Sequence, residues 1–206
     1  FFSRRIGIAT DTTTGLALQN PIPVGLRLSG KISQNTRVGL LNMQGAKNDS
    51  IQQPSINYTV ATIQQKVLNR SNLDFIFVNK QPFKLVLGDS SYQADRNQTV
   101  GLDFNLLSAD NKWNGTLFLH HSFDEVKLKK AYATGAYLNY SSINWDWKIS
   151  SQQIGAGYNP EVGFVRRTDF RQLASTIQYS YFPKLGKVQS HGPGFDFDIL
   201  GRQNIG

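Results

Sequence analysis

The chain has 206 residues, enough for one large β domain, and only 17% of them are charged, where about 25% is usual for soluble domains. Its net charge of +8 is spread over scattered residues and short doublets with no accompanying nucleic-acid motif, which argues against a nucleic-acid partner. The absence of Cys excludes a disulfide scaffold and a thiolate metal site, and no run of about 18 apolar residues offers a transmembrane helix.

In chain order, Phe1 to Ala9 is a short apolar and basic opening, and Asp11 to Asn20 is Thr-rich and turn-like. Val24 to Ile32 alternates: Val24, Leu26, Leu28 and Ile32 are apolar, while Gly25, Arg27, Ser29 and Lys31 between them are small or charged. Strand side chains point to opposite faces in turn, so this segment has one apolar and one wet face. Arg37 to Gly45 is its predicted hairpin partner, with Val38, Leu40 and Asn42 on one face. Ile56 to Leu68 and Leu73 to Asn79 follow as strands, with Asn69 to Asn72 as the turn between them.

Phe83, Leu85 and Leu87 suggest a short strand, followed by a polar loop through Ser91 to Asn97. Thr99 to Leu107 alternates clearly, with Leu102, Phe104 and Leu106 on one face and Gly101, Asp103 and Asn105 on the other. Trp113 to Phe123, Lys130 to Ser142 and Asn144 to Gly157 are the next predicted strands, and Asp124 to Lys130 is a charged loop. Tyr158 to Arg167 contains Pro160 and Gly163 and reads as an irregular turn. Asp169 to Phe182 is a long alternating run in which Leu173, Ile177, Tyr179 and Tyr181 share a face; Pro183 to Gly194 is a loop, and Phe195 to Leu200 begins a last strand.

The pattern amounts to roughly ten strands with no helical period. Several runs reach about 10–14 residues, whereas soluble strands centre near 5–6 and a tilted membrane strand needs about 9–11. Aromatic residues gather toward run ends, as at Trp113, Trp145, Trp147, Tyr179 and Tyr181. This suits an interface girdle of a membrane barrel, or sugar-stacking platforms in a soluble carbohydrate-binding protein. The expected fold is an all-β, antiparallel transmembrane barrel, with a soluble β-sandwich or propeller as the alternative.

FFSRRIG at Phe1 to Gly7, INYTVATIQQ at Ile56 to Gln65 and YNPEVGFVRRTDFRQ at Tyr158 to Gln172 resemble the Bacteroidota outer-membrane proteins of domain-of-unknown-function family 5916. The resemblance implies a C-terminal outer-membrane barrel, which in that family follows a domain similar to family 9 carbohydrate-binding modules. The sugar-binding-like domain has no counterpart here, so residues 1–206 are expected to be a single barrel region, a segment of a larger barrel incomplete at both ends. Its expected location is the outer membrane. Its expected partners are the lipid bilayer, other outer-membrane proteins and a saccharide, and its expected role is a porin-like solute pore or a membrane-embedded subunit of a larger assembly.

Arg4, Arg5, Arg166 and Arg167 fall in the resembling segments, and Arg27 and Lys31 lie on the polar face of the Val24 strand; together they are the candidate lumen or loop cations, suited to anionic solutes. His120 and His121 are adjacent on a strand and point to opposite faces, so they do not chelate one ion. Asp196 and Asp198 share a face opposite Phe195 and Phe197, which reads as an acidic lumen pair behind a lipid-facing aromatic pair. No catalytic set, metal site or cofactor is expected.

Overall fold

The computed structural model describes residues 3, 5–11, 14–51, 53–83, 96–125, 129–185 and 187–202. Among these, a small hairpin of β1 (Ile8–Thr10) and β2 (Ala17–Gln19) precedes a ten-stranded antiparallel sheet. The sheet comprises β3 (Val24–Lys31), β4 (Thr36–Gly45), β5 (Ile56–Val67), β6 (Ser71–Pro82), β7 (Asn97–Leu107), β8 (Trp113–Asp124), β9 (Tyr132–Ser141), β10 (Trp145–Ile154), β11 (Phe170–Tyr179) and β12 (Gly194–Arg202). Each strand pairs with its sequence neighbours, so the sheet is an unbroken meander from β3 to β12. Among the described residues the one helical turn is a 3-10 turn at Asp49–Ile51. The sheet is not a closed barrel: among the described residues β3 and β12 each have one unpaired edge.

Strand lengths run from 8 residues in β3 to 12 in β5, β6 and β8. β6 starts at Ser71 and runs through Pro82, longer at both ends than its Leu73 to Asn79 alternation suggested. The Thr-rich Asp11 to Asn20 stretch is corrected from a turn to a hairpin arm, because Ala17–Gln19 pairs with Ile8–Thr10. The strand expected at Phe83, Leu85 and Leu87 lies largely outside the described residues, as does Arg4.

The register divides the sheet into two faces. Leu73, Phe104, Leu117, Ala136, Ser151, Leu173 and Ile199 form one row across seven strands, each directly opposite the next. A neighbouring row, Asn72, Asn105, Thr116, Tyr137, Ser150, Ala174 and Asp198, lies on the other face. The apolar face is the exposed one: Leu28 is 63% exposed, Ile63 48%, Leu119 57% and Ile199 63%. Its apolar belt runs about 20 Å along the strands. At the end with the longer loops the belt gives way to amides. There Asn42 and Asn57 donate to each other at 3.0 Å, Asn57 Nδ2 also donates to Gln44 at 3.1 Å, and Gln98 donates to Asn79 at 2.9 Å.

Burial is concentrated over the polar face at this same end. Val162 packs with Ile56, Tyr58, Val60 and Val78, and Tyr158 packs with Ala133, Ile154 and Phe170. The segment from 155 to 169 therefore lies across the polar face, reaching strands from β5 to β11. Side chains of neighbouring strands converge there. A Cβ at Gly101 would stand 2.5 Å from the His120 ring and 2.8 Å from Ile76, and one at Gly135 would stand 2.6 Å from the Phe118 ring. Gly30, on the apolar face of β3, has nothing within 4 Å of such a Cβ.

Candidate functional site

The site is assembled where the 155–169 segment meets the polar face. Its anchor is Asn97, the first residue of β7, which is 1% exposed. Asn97 Nδ2 donates to Asp124 Oδ1 at 2.8 Å and to the Asn159 carbonyl at 2.7 Å, and Asn97 Oδ1 accepts the Glu161 amide at 3.1 Å. Ser122 Oγ accepts the Asn159 amide at 2.9 Å, and Asn159 Nδ2 donates to Asp124 Oδ1 at 3.2 Å. The Gly163 amide donates to the Pro160 carbonyl at 2.9 Å, closing a turn through Glu161 and Val162. Lys80 on β6 forms an ion pair with Glu161. From the N-terminal side, Ser3 Oγ donates to the Val162 carbonyl at 2.6 Å and Arg5 Nη1 to the Glu161 carbonyl at 3.4 Å. Polar groups removed from water cost free energy unless paired, so this set of bonds fixes the segment to the sheet.

Between the segment and the polar face lies a cavity of about 680 Å³, walled by residues of β6 through β12. Thr99, His120, Gln152 and Gln172 line it from the sheet, and Phe164, Arg166 and Arg167 from the segment. His120 Nε2 lies 2.8 Å from Asp103 Oδ1, and Gln172 Nε2 donates to both oxygens of Asp198, at 2.8 and 2.7 Å. Arg167 sits with its guanidinium carbon 5.9 Å from the Phe170 ring centroid, within cation–π range. Burial, and secondarily the Asp103 carboxylate, push the Tyr158 phenol up to about 12.

Of the six cations singled out in the sequence, Arg5, Arg166 and Arg167 belong to this docked region. Arg27 and Lys31 do not join them, because they stand on β3 at the sheet edge; Arg4 lies outside the described residues. Arg166 and Asp169 do not form an ion pair among the described residues; the segment is held through Asn159 and Glu161 instead.

The aromatic set partly assembles. On the apolar face at the short-turn end, Trp113 packs on Tyr140 at 4.7 Å, Tyr140 on Trp147 at 5.7 Å, Trp147 on Trp145 at 6.1 Å and Trp145 on Tyr179 at 4.9 Å between ring centroids. Tyr181 is separate: β11 ends at Tyr179, and Tyr181 bridges His191 instead, with rings 5.3 Å apart. His121 lies against Phe123 on the apolar face, whereas His120 faces the cavity, so the two are divided as the alternation requires. Asp196 accepts from Thr176 at 2.9 Å and stands on the polar face with Asp198.

Sequence reasoning missed Lys80, Asn97, Ser122 and Asp124, which hold the segment. Their only local signal is position, since Asn97 opens a strand run and Asp124 closes one.

Fold and site together define a class: an all-β antiparallel meander whose exposed face is apolar and whose polar face carries a docked irregular segment. The chain belongs to the family described as a domain of unknown function, DUF5916, whose model matches residues 1–202. No curated protein and no solved structure matches it.

Proposed function

We propose that this chain is a non-catalytic wall of an outer-membrane β-barrel, part of a larger barrel that serves as a solute pore or as a membrane-embedded subunit. One observation carries the reading: the large apolar side chains stand exposed across the whole sheet on one face, while the hydrogen-bonded polar networks and the docked segment occupy the other. An apolar surface of this extent in water would be an aggregation site, whereas hydrocarbon accommodates it. The aromatic cluster at one end and the amide band at the other suit the two edges of a bilayer. In this reading the longer loops and the docked segment face outward and the short turns face the periplasm, and further strands cover the edges of β3 and β12, because open edges do not persist in lipid.

A soluble carbohydrate-binding β protein is the second reading, favoured by the exposed rings of Trp145 and Trp147, 42% and 37% exposed. Electrophoresis of the detergent-extracted native protein, with and without boiling, separates the two. A heat-dependent shift in mobility is expected of a closed barrel. Solubility without detergent together with no shift would overturn the membrane reading in favour of the soluble one.

A further inference from the structure

We propose that the cavity beneath the 155–169 segment binds a sugar acid, a hydroxylated ring carrying a carboxylate. Its volume of about 680 Å³ falls within the roughly 300–1,000 Å³ of small-molecule sites. Three kinds of polar group converge on it. Arg166 and Arg167 supply cations, and among the described residues neither has a carboxylate in salt-bridge range. Guanidinium forks match a carboxylate in geometry and charge. Thr99 is 7% exposed, and its hydroxyl, which has no hydrogen-bond partner among the described residues, lines the same cavity. A buried hydroxyl left unpaired costs free energy that a ligand hydroxyl would recover. Gln152 adds an amide, able to donate to and accept from ring hydroxyls.

Phe164, 80% exposed on the segment side, offers an aromatic face to the C–H face of a sugar ring. A bare phosphate would engage the cations and leave the ring, the amide and the hydroxyl unused. Asp103, held by His120, Asp198, held by Gln172, and Asp169 form no salt bridge with either arginine among the described residues. The inference deepens the pore reading by naming a solute, but the cavity does not depend on a membrane, so the two fail separately.

The test is calorimetric titration of the full native chain with galacturonate, galactose and inorganic phosphate. Galacturonate is expected to bind at least tenfold tighter than either of the others, with an affinity that falls as salt rises. Arg166→Gln with Arg167→Gln should weaken galacturonate at least tenfold. Thr99→Val should weaken galacturonate and galactose by a similar factor. The heat-dependent gel shift of each variant checks its fold. Because the salt dependence is measured on the unmodified chain, it holds even if a variant misfolds. Galacturonate binding no tighter than galactose, phosphate binding as tight as galacturonate, or salt-independent affinity would overturn the proposal, while the gel shift would leave the barrel reading standing.

Discussion

Trp145 on β10 and Tyr179 on β11 stand directly opposite each other with ring centroids 4.9 Å apart; Trp147 joins them through Trp145, and Trp113 joins Trp147 through Tyr140. All 3 tryptophans of the chain therefore sit on one face and at one end of the sheet. Reconstituted in bilayers, their fluorescence should be quenched strongly by lipids brominated near the headgroup and weakly by lipids brominated at the acyl terminus. Equal quenching by both would remove the girdle assignment.

Leu102 and Asn105 share β7 but face opposite ways. Leu102 lies mid-strand between Phe75 and Leu119, so Leu102→Arg should cost about 2–4 kcal/mol on insertion into lipid. At Asn105 an arginine would meet Asp74, whose carboxylate already accepts from Asn105 at 2.6 Å, and assembly should be near normal. The same contrast is expected of Phe104→Arg, one residue from Asn105. Folding yield into vesicles checks both, and equal yields would contradict the face assignment.

The Lys80–Glu161 pair is only 17% and 25% exposed at its two side chains. Removing one partner leaves a poorly solvated charge, so Glu161→Gln should loosen the docked segment by about 1–3 kcal/mol. Lys80→Met together with Glu161→Gln should recover part of that loss. Proteolysis within residues 155–169 is the readout: cleavage should accelerate in the single variant and slow again in the double.

Tyr158 gives a pH dependence with a definite sign. Its folded value of about 12 lies above the ordinary 10, so its contribution is fully present below pH 10 and is lost as pH rises toward 12. Phenolate absorbance should show a late-titrating tyrosine that disappears in Tyr158→Phe, and segment 155–169 should become protease-sensitive across the same window.

Crowding over the polar face predicts opposite effects for two glycines. Gly135→Ala would press on the Phe118 ring and should destabilise by about 1–3 kcal/mol. Gly30→Ala meets nothing within 4 Å and should be neutral, or stabilising by up to about 1 kcal/mol through a less mobile unfolded chain. Urea unfolding in detergent distinguishes them.

The alternation from Thr99 to Leu107 places Leu102, Phe104 and Asn105 on their observed faces, because side-chain direction along a strand is a local property. The same local rule separates His120 from His121. The β1–β2 hairpin escapes it, since strands of 3 residues are too short to show a period. Tyr181 breaks from the aromatic set because the run continues in sequence beyond the point where pairing stops at Tyr179. Pro160 and Gly163 mark the 158–167 stretch as irregular, but its docking depends on Asn97, 64 positions from Glu161. A contact of that range leaves no periodic trace in the chain.

The meander also bears on how such a sheet can change size. Among the described residues the strands of the sheet pair only with their neighbours in sequence, so adding or deleting one hairpin would widen or narrow the sheet by about 10 Å without re-registering the rest. That freedom is unequal along the sheet. β6, β7 and β8 are tied through Lys80, Asn97 and Ser122 to the segment joining β10 to β11, which makes them a fixed arc. Duplication and loss of hairpins are therefore expected to be tolerated outside this arc, at the β3–β4 side and beyond β12, and to be rare within it.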